Sequence, residues 1–283
     1  MPLKNKTVLV FGEDTRSFLT VIRSLSQSGM LVDVVSFSNT SVALKSNCIR
    51  NVFGLNHQSM TIEEWTAEVT QLLVDQQYDL VIPCDERALL PLMDIKQTLA
   101  IKTIFALPEP QDLEPLFNKV ETRLTGQACD IPVALGNVLT LSEHSFDALQ
   151  STYGLPFVLK PTQSYDEEEL NKRQSVKIAH SEQDLNDFIE TNGQQSCLVE
   201  SYFPGYGIGV SILANKGKVK AAFAHARVAE PETGGGSSYR KAIPLDPAML
   251  YACQKFCMKL KYTGVGMFEF KYNPENQDWI LIE

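Results

Sequence analysis

Two glutamates near the carboxyl end of the sequence, Glu269 and Glu283, have the chemistry of a hard-cation site. Glu269 stands between Phe268 and Phe270, and Glu283 follows Ile280-Leu-Ile282. Each carboxylate therefore sits among apolar neighbours, where an unpartnered charge is costly. Two runs of β-formers flank the polar turn Asn273-Pro-Glu-Asn276, a pattern that reads as a hairpin. With the loop centred on Asn276, residues 269 and 283 have equal offsets and face each other, Cβ atoms roughly 5 Å apart. Such a pair repels unless a cation lies between its oxygens. Mg²⁺ or Mn²⁺ suits hard carboxylate ligands, and Mg²⁺ commonly takes one or two carboxylates plus substrate phosphates. Read alone, the same residues also fit an edge hairpin whose glutamates point to water.

Cations that could neutralise phosphates are scattered upstream. Lys160 closes the apolar run 154–160 and precedes Pro161, whose ring forces an extended exit and fixes the lysine at a strand end. Lys119 and Arg123 lie one turn apart in a helical stretch spanning 113–129. The segment 227–240 carries glycines at 234, 235 and 236, then Ser237, Ser238 and Arg240. That composition suits donors gathered on an anion, although a flexible linker looks the same. Asp85, at the carboxyl end of a strand where ligands of parallel sheets bind, reads first as a helix cap.

The elements that must hold these residues follow from periodicity. Residues 6–12, 31–37, 50–54 and 79–83 read as short strands. They alternate with helices that run to Gln27, start at the cap Thr61, and start at Glu86. Alternation of these lengths predicts a doubly wound parallel sheet over residues 1–112. It carries no GxGxxG and no GxxxxGK[ST] fingerprint. After a Pro-rich boundary at 107–111 come the helix 113–129, an extended segment at 131–133, a helix from Ser142 and the strand 154–161. The acidic stretch 162–173 reads as a loop. A strand at 175–179, a helix at 181–191 with capping-box spacing from Ser181 to Asp184, and a strand at 197–203 follow. A hairpin, 210–214 against 218–225, a helix at 247–259 and the glutamate hairpin complete the chain.

Composition narrows the function classes. A chain of 283 residues, 44% hydrophobic and 21% charged, reads as a cytoplasmic globular protein of two or three compact units. A net charge of -9 without basic runs excludes a general nucleic-acid binder. No apolar run of about 18 residues predicts a membrane span. The six cysteines form no CxxC pair and read as buried thiols.

Taken together, the ordered segments from about 113 to 283 resemble the ATP-grasp superfamily, closest to carbamoyl-phosphate-synthase-like, ATP-dependent carboxylate-amine ligases of unassigned substrate. Pro-Phe-Val-Leu-Lys160-Pro is similar to that family's second nucleotide lysine, and Phe-Asn-Lys119-Val to its first. Leu-Val-Glu200-Ser-Tyr-Phe203 resembles the adenine hinge. The resemblance implies that Glu200 takes the adenine amino group and that the backbone at Ser201 and Phe203 completes the base contacts. It also implies that Glu269 and Glu283 hold Mg²⁺ (or Mn²⁺), and that Arg240 acts in catalysis. The implied architecture is α/β and α+β: a Rossmann-like preATP-grasp domain at 1–112, then ATP-grasp subdomains at 113–198 and 199–283. The implied reaction is ATP-dependent joining of a small-molecule carboxylate to an amine (or thiol) through an acyl phosphate, and a homodimer stays open. Three departures stand out. The family's Glu-x-Asn-x-Arg pattern stops at Glu283, so a C-terminally truncated module is expected. The ribose-binding acidic position falls on Gly207, and the phosphate-covering loop falls on the acidic stretch 162–173. A non-catalytic nucleotide-binding module would share these features.

Overall fold

The computed structural model describes residues 3–14, 16–55, 60–162, 175–192, 196–229 and 239–283. All but Thr162 of the acidic loop 162–173, and the glycines 234–236, lie outside the described residues. The chain divides into two compact units, Met1–Leu107 and Pro108–Glu283. Among the described residues no helix is long and apolar enough to cross a membrane.

The first unit runs β1 (Thr7–Gly12), α1 (Ser17–Gln27), β2 (Leu31–Ser36), β3 (Ile49–Gly54), α2 (Ile62–Gln76), β4 (Leu80–Pro83), α3 (Glu86–Thr98) and β5 (Ile104–Phe105). Its sheet has the order β3-β2-β1-β4-β5, and every pairing is parallel. This is the doubly wound sheet that the alternating elements predict. Central strands buried on both faces explain the continuous apolar runs: Val8, Leu9, Val10 and Phe11 are all fully inaccessible. Thr61 and Glu64 close a reciprocal capping box on α2. Asp85 caps α3 through the Arg87 amide, and its carboxylate also clamps the Arg87 guanidinium.

One buried carboxylate in this unit has a calculable consequence. Asp33, on β2, is wholly inaccessible and accepts hydrogen bonds from Arg50 (2.8 and 2.6 Å), Asn51 (3.1 Å) and Tyr78 (2.7 Å). Burial pushes its pKa up, but these donors outweigh burial and hold it below the ordinary value of 3.8. A depressed folded-state pKa contributes stability that is present above the unfolded value and lost as the pH falls toward the folded one. Asp33→Asn is therefore expected to cost roughly 2–3 kcal/mol near neutrality, mainly through imperfectly paired donors. The gap to wild type should narrow as denaturant curves are taken from pH 7 toward pH 3. A gap independent of pH would contradict this account.

The second unit opens with α4 (Leu113–Phe117) and α5 (Lys119–Gln127). The expected single helix over 113–129 is broken at Asn118, because that side chain accepts from the amides of Val120 and Glu121 and starts a new helix. Then come β6 (Gly136–Thr140), α6 (Phe146–Tyr153), β7 (Phe157–Pro161), β8 (Lys177–Ala179), α7 (Glu182–Asn192) and β9 (Ser196–Ser201). These strands form a sheet of order β6-β9-β7-β8 with antiparallel pairing. α6 starts after its Ser145 cap, three residues later than expected from Ser142. Phe157, Leu159, Ala179 and Val199 build a fully inaccessible core beneath this sheet.

A second antiparallel sheet follows, from β10 (Tyr206–Asn215), β11 (Lys218–Ala229), β12 (Tyr239–Ile243), β13 (Gly264–Tyr272) and β14 (Trp279–Leu281), in the order β12-β11-β10-β13-β14. Helix α8 (Pro247–Leu260), capped by Asp246, presents Met249, Cys253, Phe256 and Cys257 to a core shared with Ile208, Val210, Ile212, Phe268 and Phe270. Side chains of a strand alternate between faces. The residues between those core positions therefore lie on the opposite face: Gly207 and Gly209 on β10, His225 and Arg227 on β11, Glu269 and Lys271 on β13.

Two expectations for this sheet are corrected. Strand β10 begins at Tyr206, not 210, because the glycine-containing stretch pairs along β13 from Tyr206↔Tyr272 to Gly209↔Glu269. The glutamate hairpin is also shifted by one residue from the assumed centre, with Phe270 opposite Leu281 and Tyr272 opposite Trp279. That register alone would set Glu269 against Ile282. Instead, the amides of Ile282 (2.8 Å) and Glu283 (3.3 Å) both donate to the Glu269 carbonyl, and the Glu269 amide donates to Glu283 O (2.7 Å). Two residues thus oppose one, as in a β-bulge, and the bulge brings Glu283 opposite Glu269 after all.

Candidate active site

Lys160, the penultimate residue of β7, is diagonal to Glu200 on β9, since Val158 pairs with Glu200 and Lys160 with Leu198. The Lys160 ammonium lies 2.6 Å from Glu200 Oε2, and Arg123 Nη1, from the second turn of α5, donates to Oε1 at 2.9 Å. All three side chains are at most 10% exposed. Buried charges persist only where each is paired, and here one carboxylate clasps two cations. Both oxygens of Glu200 are engaged in this way, a role the sequence pattern does not announce.

Lys119 joins the same region. As first residue of α5 its amide donates to Thr162 O (2.8 Å), tying the helix start to the exit of β7. Its ammonium, 7% exposed, lies 3.6 Å from Glu283 Oε1. Lys160 Nζ also reaches Ile282 O at 3.4 Å. The end of the glutamate hairpin is thus seated between two lysines that lie 41 positions apart in sequence and are brought together by the fold.

On the other side of the bulge, Glu269 is ion-paired with Arg227 of β11. Arg227 pairs across the ladder with Arg240 of β12, so Arg240 stands on the same sheet face. His225, two residues before Arg227, is 6% exposed. Burial first, and then the charges of Arg240 and Arg227, hold its pKa below the usual histidine value. Ser201 ends β9, and its amide donates to Leu135 O (2.8 Å). Phe203 lies in the link between β9 and β10. That link is pinned where Lys271 Nζ donates to Gly205 O (3.1 Å) and lies 5.6 Å from the Tyr202 ring centroid.

The structure therefore brings Lys119, Lys160, Glu200, Glu283 and Glu269 into one continuous arrangement, with Arg240 along the sheet from Glu269. Arg123, Arg227 and His225 belong to it too and carry no motif. The only hint is spacing: Arg123 one helical turn from Lys119, and His225 and Arg227 alternating along one strand face.

The donor set is consistent with a shared divalent cation. Among the described residues no group of three or more His, Cys, Asp or Glu could enclose a metal. Glu269 and Glu283 offer hard oxygens from opposed backbone positions, and each is now held by a cation rather than by another carboxylate. Two carboxylates that need further oxygens match Mg²⁺, which takes the rest from phosphates and water.

No protein-family model and no curated protein matches the sequence. Solved structures do match in fold. The ADP complex of an N5-carboxyaminoimidazole ribonucleotide synthetase superposes with a TM-score of 0.71 at 12% identity, covering 99% of this chain and 70% of that one. An L-amino acid ligase from Bacillus licheniformis gives 0.71 at 15% identity, covering 99% and 66%. A biotin carboxylase from Campylobacter jejuni, in a beta-gamma-ATP complex, gives 0.72 at 16% identity, covering 100% and 65%. This chain spans about two thirds of the length of each. These likenesses establish the ATP-grasp fold.

Proposed function

We propose that this chain puts its ATP-grasp fold to ATP-dependent ligation of a carboxylate to an amine or a thiol. The observation that carries the reading is the meeting of Lys119 and Lys160, both buried, at the end of a hairpin that bears two opposed carboxylates. Buried cations beside hard-oxygen ligands have the composition of a phosphate-and-metal site. The solved complexes with ADP and beta-gamma-ATP support the nucleotide part.

In this reading Lys119 and Lys160 hold the phosphate chain, and Glu200 fixes Lys160 and Arg123 in place. The Ser201 amide is committed to Leu135, so Ser201 offers a base its carbonyl, and Phe203 its amide. Glu269 and Glu283 hold Mg²⁺, which when bound neutralises charge on the phosphates. Arg240 faces the acceptor carboxylate. A carboxylate oxygen attacks the γ-phosphorus and ADP leaves. The amine nitrogen then attacks the acyl carbon and inorganic phosphate leaves. Loose phosphoryl-transfer transition states ask the protein for positioning and charge, which is what these residues offer. The reaction takes place in the soluble phase and calls on neither nucleic acid nor membrane.

The test is phosphate release from ATP over a panel of carboxylates, with hydroxylamine as the amine. A ligase forms hydroxamate and phosphate in equal amounts with at least one carboxylate class. Tight ATP binding with no carboxylate-dependent release across the panel would favour a nucleotide-binding module and contradict the ligase reading.

A further inference from the structure

Each carboxylate of the candidate site is the partner of one of its cations. Glu283 Oε1 lies 3.6 Å from the Lys119 ammonium, Glu200 Oε2 lies 2.6 Å from that of Lys160, and Glu269 is ion-paired with Arg227. The pairs join α5 to the end of the glutamate hairpin, β9 to β7, and β13 to β11. All three cations are at most 12% exposed. A charge so deeply set is costly to leave unpaired, so none of these groups gives up its partner without taking another.

Two of the pairs set a metal-ligand candidate against a cation. If Glu269 and Glu283 turned to a divalent cation without nucleotide, Arg227 and Lys119 would be left beside an added positive charge. If Lys119 and Arg227 turned to the phosphates of metal-free ATP, Glu283 and Glu269 would be left beside added negative charge. Like charges brought together in a poorly solvated site are strongly unfavourable. A metal-nucleotide complex carries both signs. Against it Lys119 and Arg227 exchange a carboxylate for phosphate oxygens, and Glu283 and Glu269 exchange a side-chain cation for the metal, so each group ends with an opposite charge.

We propose that Glu269 and Glu283 are specificity-determining residues that reject metal-free nucleotide, by holding Arg227 and Lys119 in ion pairs that phosphates alone cannot replace. Arg227 and Lys119 reciprocally hold the two glutamates against a divalent cation that comes without nucleotide. This deepens the ligase reading and rests on its nucleotide-and-metal part, not on the ligation step. The Lys160–Glu200 pair contains no metal-ligand candidate and serves as the internal control.

Two titrations of opposite sign test the proposal. In calorimetry with EDTA, Glu283→Gln is expected to bind ATP roughly tenfold more tightly than wild type, because Lys119 is released and a like charge is removed. With Mg²⁺ present the order should reverse, and the variant should bind ATP more weakly than wild type. Mn²⁺ without nucleotide, followed by electron paramagnetic resonance of the free ion, is expected to bind Lys119→Met and Arg227→Gln roughly tenfold more tightly than wild type, because each frees a glutamate from its cation. Lys160→Met should show no such gain. General damage to the fold weakens binding in every case and does not imitate this pattern. Metal-free ATP affinity of Glu283→Gln at or below that of wild type would overturn the proposal. So would Mn²⁺ affinity of Lys119→Met or Arg227→Gln at or below that of wild type. An equal Mn²⁺ gain in Lys160→Met would show an effect of overall charge, and would overturn it too. Neither titration involves ligation, so the predicted pattern without carboxylate-dependent phosphate release would sink the ligase reading alone.

Discussion

Replacing Glu200 by alanine is expected to lower the thermal unfolding midpoint of the second unit by roughly 6–20 °C. The carboxylate has Arg123 Nη1 at 2.9 Å and Lys160 Nζ at 2.6 Å, all within side chains no more than 10% exposed. Removing it leaves two like charges close together in a water-poor setting. Breaking a buried ion pair from one side costs about 3–5 kcal/mol. For a unit of this size each kcal/mol moves the midpoint by about 2–4 °C. Glu200→Gln keeps an acceptor and should lose less. Replacing all three residues by apolar ones of similar volume should restore much of the stability, since a buried triad is seldom better than a packed apolar core. It should also remove nucleotide binding, which would separate the structural role of the clasp from its functional one. Scanning calorimetry decides the matter: a Glu200→Ala protein that melts with wild type would show that the clasp is not a buried charge cluster.

Glu269→Gln is expected to abolish the part of ATP affinity that depends on Mg²⁺. The substitution keeps the shape of the side chain and removes its charge, so the hairpin and its bulge should persist. Substitution of groups that merely orient a metal ligand costs about 10–100-fold in metal affinity. Loss of one of only two carboxylates should reach or exceed the upper end, about 100-fold. Arg227 loses its ion-pair partner in the same variant. Arg227→Gln is therefore the control: it breaks the same ion pair but leaves both carboxylates, and should retain the Mg²⁺ dependence. If the two variants behave alike, Glu269 matters through Arg227 and not as a metal ligand. A Glu269→Gln protein with wild-type Mg²⁺ dependence would remove it from the metal assignment.

Much of the architecture is legible in the residues because it is local. Apolar runs ending in glycine mark β1, and the Thr61–Glu64 box marks α2. The proline after Lys160 marks the end of β7 and fixes that lysine before any partner is known. What escapes is set by partners distant in sequence. Nothing near Glu200 signals Arg123, which lies 77 positions away. The hairpin register depends on where the turn closes, and a shift of a single residue moved the partner of Glu269 from Glu283 to Ile282 until the bulge restored it. Asn118 has an ordinary helical neighbourhood, and its side chain breaks the helix by competing for backbone amides. His225 reads as one polar residue in a strand, because the space that it fills is made by Gly209 on another strand.

We propose that Lys119, Lys160, Glu269 and Glu283 form one nucleotide-and-metal site. Calorimetric titration of ATP into the protein, with Mg²⁺ and then with EDTA in its place, tests it most directly. Saturable one-to-one binding is expected, tightening at least about tenfold with Mg²⁺, a gain of about 1.4 kcal/mol or more. Lys160→Met is expected to weaken binding under both conditions. ATP binding that ignores both Mg²⁺ and Lys160, or no ATP binding by the folded protein, would contradict it.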